Sequence, residues 1–146
     1  MSNSIAVAVE KVRESLVHRR VKAAALGVGS VVLMDVDEEL GAASCAIRIE
    51  TGWRIDATDR AIVGSEDERA KLKAALLGLT GCVIEAVEVT VPAFDLRLSF
   101  SNGQLLCAFS LHIDSDAYEN WTVLGLDGLA VVSGPGCQLR SLPRNR

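Results

Sequence analysis

Aromatic residues are scarce: 4% of the 146 residues, as two tryptophans, one tyrosine and three phenylalanines. A core of stacked rings is therefore excluded, and the interior has to be aliphatic. Histidine occurs twice, and no two of the four cysteines (Cys45, Cys82, Cys107, Cys137) have C-x-x-C spacing. That removes the common zinc-ribbon and thioredoxin-type motifs. There is no G-x-S-x-G elbow of the kind that exposes a nucleophilic serine. Gly27-Val-Gly29-Ser30 starts like a dinucleotide fingerprint but lacks the third glycine and is followed by strand-like residues, so the phosphate-binding context is missing. An excess of positive charge is also missing. The net charge of −4 and pI near 5.2 argue against the basic face of a nucleic-acid binder. No segment reaches the ~20 apolar residues of a membrane span. The apolar run Ile5–Val9 meets Glu10, Lys11 and Arg13 too soon to be a secretory signal. These absences predict one cytoplasmic domain over residues 1–146 with no cofactor, no nucleic-acid partner and no membrane partner.

What is present is internal similarity. Val21-Lys-Ala23 lies opposite Ile84-Glu-Ala86, Gly41–Glu50 opposite Gly103–His112, Trp53 opposite Trp121, and Ala61–Ser65 opposite Ala130–Gly134. Self-similarity of this kind is an architectural signal. It predicts an α+β fold of two pseudo-symmetric repeats, 5–65 and 66–136. Each repeat is one helix plus four or five short antiparallel strands, the two are packed around a shared core, and a flexible tail follows at 140–146. The alignment places Cys45 on Cys107, both as buried free thiols on the same side of their sheets. Were the two to face opposite sides, the match would be a coincidence of composition, because the side-chain period of a strand is two.

The local patterns agree with this plan. Ile5, Val9, Val12 and Leu16 recur at helical spacing, and His18 is placed on the surface of that helix. Ser65-Glu-Asp-Glu68 has capping-box form, with Leu72, Leu76 and Leu79 as the buried stripe behind it and Gly78 and Gly81 as stops. Phe94, Leu96, Leu98 and Phe100 alternate with Asp95, Arg97 and Ser99 as in a half-buried strand. Asn102-Gly103 then signals a two-residue hairpin turn. Both tryptophans read first as core anchors.

Candidate chemistry is thin. In an extended strand His112, Asp114 and Asp116 share one face, where an imidazole and two carboxylates suit a cation or acid–base work. With Trp121 as a stacking surface they form the candidate ligand site of a small-molecule or metal-binding protein or enzyme, in a cleft between the repeats. No metal-ligand set and no catalytic set emerges beyond these. Asp35, Asp37, Glu38 and Glu39 form the densest acidic cluster, without the spacing of a calcium loop, and suit the steering of a basic partner. Short strands with unpaired edges and the apolar excess of Ile5–Val9 predict a homodimer.

The second half also carries Leu79-Thr-Gly-Cys-Val-Ile84, Asp95-Leu-Arg-Leu-Ser-Phe-Ser-Asn-Gly-Gln-Leu105, Trp121 and Val132-Ser-Gly-Pro-Gly136. In these motifs residues 50–136 resemble small bacterial α+β proteins of uncharacterised families, some of them of the kind that act as immunity proteins of toxin systems. The resemblance implies a protein partner and no catalytic residues. Together with the absent catalytic motifs, it makes a non-enzymatic, immunity-like protein-interaction module the leading expectation.

Overall fold

Helix α1 (Asn3–Leu16) forms because Ala8, Val12 and Leu16 recur at helical spacing. All three are essentially fully buried, while Glu10 and Arg13 pair on the outer side at 2.8 Å. The helix ends before His18, which takes the left-handed conformation (φ 69°). His18 therefore redirects the chain into strand β1 instead of standing on the helix surface. The structure, a computed structural model, describes residues 3–37, 45–125 and 128–143.

After α1 come β1 (Arg20–Leu26), β2 (Val32–Asp37), β3 (Cys45–Ile49), β4 (Trp53–Asp56) and β5 (Ala61–Gly64). Helix α2 (Arg69–Leu77) precedes β6 (Ile84–Val89), β7 (Leu96–Phe100), β8 (Leu105–Ala108), β9 (Trp121–Leu124), β10 (Leu129–Ser133) and β11 (Leu139–Pro143). Two antiparallel sheets result, one in the order β1-β2-β3-β9-β10-β11 and the other β5-β4-β8-β7-β6. The fold is thus α+β, with two helices and mostly strands among the described residues. No helix among them is long and apolar enough to cross a membrane.

The connections run in parallel order. In each half a helix leads to three consecutive strands of one sheet, and the strands that follow join the other sheet: β4 and β5 in the first half, β9, β10 and β11 in the second. Helix α1 packs on β6, β10 and β11, and α2 packs on β1 and β5. Strand β1 shifts register between Val21 and Ala23, and β6 between Ile84 and Ala86. The starts of these two strands are stitched together: Val21 N–H donates to Cys82 O at 2.8 Å, and Ile84 N–H donates to Arg19 O at 2.8 Å. The inward residues of both sheets and both helices form one buried cluster.

Each tryptophan holds a loop of its own half. Trp53 is 2% exposed and Trp121 is fully buried. A buried indole N–H needs an acceptor. Trp53 Nε1 donates to Ser30 O at 2.7 Å and Trp121 Nε1 to Phe94 O at 2.8 Å. Arg69 at the start of α2 also donates to the carbonyls of Gly27 and Gly29 in the first of these loops.

Several expectations are corrected. Cys45 points inward with Ile47 and Ile49, its thiol donating to Ser15 O at 3.2 Å. Cys107 pairs laterally with Arg54 and Arg97, both exposed, so it faces outward although it too is buried. The two cysteines face opposite sides, and the residue-by-residue match over Gly41–Glu50 and Gly103–His112 is a coincidence of composition. Residues 140–143, expected in a flexible tail, belong to β11 and pair with β10, because the neighbouring Leu139 reaches the core cluster. Helix α2 starts at Arg69 without a side-chain cap. The Ser65 hydroxyl accepts from Trp53 N–H instead, at 3.1 Å, and the Asp67 carboxylate from Gly64 N–H, at 2.8 Å. At Asn102-Gly103 only Gly103 has positive φ (84°). Gly103 N–H donates to Phe100 O at 3.0 Å and Phe100 N–H to Gln104 O at 2.9 Å, which makes a three-residue loop.

The opposite facing of the two thiols has a measurable consequence. Cys45→Asp buries a carboxylate against aliphatic neighbours and is expected to cost about 3–5 kcal/mol. Cys107→Asp places the charge between two guanidinium groups and is expected to cost less than about 1.5 kcal/mol. Urea unfolding midpoints of the two variants check the difference, and equal losses would contradict the assignment of faces.

Candidate functional site

The connection from β8 to β9, residues 109–120, contains no strand or helix. The matching connection from β3 to β4 spans only residues 50–52. A long irregular connection inside a compact domain is uncommon and often carries function. Three large apolar side chains stand out from this one: Leu111 at 65%, Ile113 at 45% and Tyr118 at 64% exposure. The Tyr118 ring leans on the His112 ring, with centroids 5.5 Å apart. Asp114 and Asp116 are exposed between them.

Hydrogen bonds fasten both ends of this loop and bridge its interior. Ser110 N–H donates to Asp95 Oδ1 and Ser110 Oγ to Phe94 O, each at 2.7 Å. The fully buried Asn120 spans the base of the loop. Its Oδ1 accepts from His112 N–H at 2.8 Å and its Nδ2 donates to His112 O at 3.3 Å. Ser115 Oγ accepts from the N–H groups of Ala117 and Tyr118 at 3.2 Å each. Arg140 holds Glu119 at 3.3 Å. The turn after β10 packs closely underneath, where a Cβ at Gly134 (φ 96°) would meet Glu119 Cα and Tyr118 O at 3.2 Å. A polar cavity of about 650 Å³ separates Asp114 and Asp116 from Pro135, Gly136 and Gln138.

This geometry decides the fate of the sequence candidates. His112, Asp114 and Asp116 lie on the irregular loop, not on a strand, so the shared strand face expected for them does not exist. Among the described residues no three of His, Cys, Asp and Glu gather as a metal would require. Trp121 is buried with its N–H satisfied, which removes it from any ligand-stacking role. The space between the halves is occupied by the core, including Trp53, Trp121 and Phe100. Asp35 is exposed on the outer face of β2. The Asp37 side chain, Glu38 and Glu39 lie outside the described residues.

A second cluster was not foreseen. On the outer face of the five-stranded sheet, Cys107, Arg54, Arg97, Asp56, Asp95 and Phe109 surround a cavity of about 270 Å³. Arg54 is clamped by Asp56 at 2.8 and 3.1 Å and lies 5.3 Å from the centre of the Phe109 ring. That hydrogen bond and charge raise the Arg54 pKa further. Burial pushes the Cys107 thiol up, against the opposing pull of Arg97 and Arg54. A thiol held protonated is a poor nucleophile. Alternation in β8 was the only sequence signal for it, and it was obscured because Leu106, Cys107 and Ala108 are all buried.

A family model described as a family of unknown function, DUF6188, matches residues 12–143. No curated protein and no solved structure matches the chain.

Asn120 is the residue on which the loop geometry turns. Asn120→Ala leaves the His112 N–H and C=O without partners and is expected to cost about 2–3 kcal/mol in urea unfolding. A loss below about 0.5 kcal/mol would mean that the loop is not fastened there.

Proposed function

The chain belongs to DUF6188, a family of unknown function, and we propose that it is a non-enzymatic protein-interaction module of the immunity-protein kind. One observation carries this reading: residues 109–120 expose Leu111, Ile113 and Tyr118 on a backbone already fixed by Asn120, Ser110 and Ser115. Large apolar side chains are held in water at a cost, and three of them on one short loop suit a contact site. Pre-fixing the loop lowers the entropy lost on binding. The partner is basic. Asp114 and Asp116 flank the apolar residues, and the chain carries a net charge of −4, which steers a positively charged protein to this surface. Tyr118 and Leu111 then supply the buried contact, in the way a few anchors dominate most interfaces. The setting is the cytoplasm, a reading supported by all four cysteines being free, as in a reducing compartment.

The architecture of the module is proposed to come from duplication of one helix-plus-five-strand unit that lends its last two strands to the sheet of the other, with β11 an addition of the second half outside the repeat. The parallel order of connections supports this, as do the matching irregularities at Val21/Ala23 and Ile84/Ala86.

The test is affinity capture from the native cell at physiological salt. The wild-type chain should retain a discrete basic protein. The double variant Leu111→Asp/Tyr118→Ala should lose it by roughly 30-fold or more in affinity, and Glu88→Ala on the other sheet should keep it. Equal capture by the double variant, or no protein captured by the wild type, would contradict the reading.

A further inference from the structure

Both helices pack on the inner side of the fold, and the outer face of the six-stranded sheet is left apolar around β2, β3 and β9. Leu33 is 46% exposed there, a value set by its outward position between Ala25 and Arg48. Beside it runs a groove of about 310 Å³ whose lining includes Asp35, Ala46, Arg48, Thr122 and Leu124. Single exposed leucines are ordinary. A leucine standing beside a groove large enough to take a second leucine, on a face that also carries Ala46, Thr122 and Leu124, is not.

We infer that this face is covered by a second copy of the chain, in a twofold dimer. The charges on the face identify the occupant. Asp35 lies opposite Ala46 across β2–β3, and Leu33 lies opposite Arg48. Asp35 and Arg48 therefore occupy one diagonal of a four-residue patch, and Leu33 and Ala46 the other. A twofold axis lying in the face along the Leu33–Ala46 diagonal keeps those two residues in place and exchanges Asp35 with Arg48. Asp35 of each copy then faces Arg48 of the other, and the two Leu33 side chains meet on the axis, each entering the groove beside the other. The strands of the two copies cross at a steep angle, as in orthogonal sheet packing. An interface of this kind has to be self-complementary, because the same patch meets itself. This one is: it offers one acid, one base and a knob beside a hole. Arg48 is half-exposed and already held by Glu50 at 2.6 Å and Glu119 at 3.5 Å, so its guanidinium is positioned in advance. Asp35 has no ion pair among the described residues. Leu33 and Asp35 lie outside residues 109–120, so loss of the dimer through either of them leaves capture of a partner by that loop intact, whereas Arg48 also pairs with Glu119 of the loop.

Sedimentation equilibrium of the full chain tests the inference, with circular dichroism confirming that each variant is folded. The wild type should be a concentration-dependent dimer. Leu33→Asp should weaken it by roughly 30-fold or more. Asp35→Arg alone and Arg48→Asp alone should each be monomeric, because each places like charges across the axis. An equimolar mixture of those two variants should dimerise, because it restores opposite charges at both contacts. A monomeric wild type, a dimer unaffected by Leu33→Asp, or a mixture no more associated than its components would each overturn the inference.

Discussion

Satisfying two buried indole N–H groups is the constraint around which this fold is arranged. With so few aromatics, Trp53 and Trp121 supply the largest side chains of an otherwise aliphatic interior, and neither can be buried without an acceptor for its nitrogen. Both find it in the connection between the first two strands of their own half, at Ser30 and at Phe94. Each tryptophan thereby ties the second sheet reached by its half to a loop of the first. In the second half the same carbonyl also accepts from Ser110. Phe94 adopts a left-handed conformation (φ 62°) that a bulky residue takes up only when its surroundings impose it. The exposed loop begins at this point, so the packing of Trp121 and the presentation of Leu111, Ile113 and Tyr118 belong to one network.

The elements of the fold were largely legible, because alternation and helical spacing report burial directly. Leu96, Leu98 and Phe100 point inward as their spacing requires, and Leu72, Leu76 and Leu79 are buried. What the sequence hid was competition for the same groups. Ser65 looks like a helix cap, but a strand N–H takes its hydroxyl. Arg140 looks like the start of a loose tail, but Leu139 and the β10 edge draw it into a sheet. Cys45 and Cys107 share apolar neighbours in sequence, yet only pairing across strands reveals that one faces aliphatic residues and the other two arginines.

The residues singled out in the sequence and the surface proposed from the structure share one segment but differ in form. His112, Asp114 and Asp116 lie on the irregular connection 109–120, where the strand geometry that would have joined them is replaced by a loop closed through Asn120. Asparagine is common in loops, and nothing in the sequence distinguishes one that spans a loop base from one that faces water. The exposure of Leu111, Ile113 and Tyr118 was not legible, because exposure depends on what the rest of the chain leaves uncovered. A ligand site between the halves loses its space to the core, whereas a surface built from a fixed loop keeps its contact residues outside.

Whether residues 109–120 are held in one conformation is therefore the deciding question, and backbone amide relaxation by nuclear magnetic resonance answers it most directly. The account predicts order parameters for His112, Ala117 and Tyr118 close to those of β8 and β9, near 0.85 as in rigid backbone. Values below about 0.6 for these amides, with the strands remaining rigid, would show a loop that samples many conformations and would contradict the docking surface described for it.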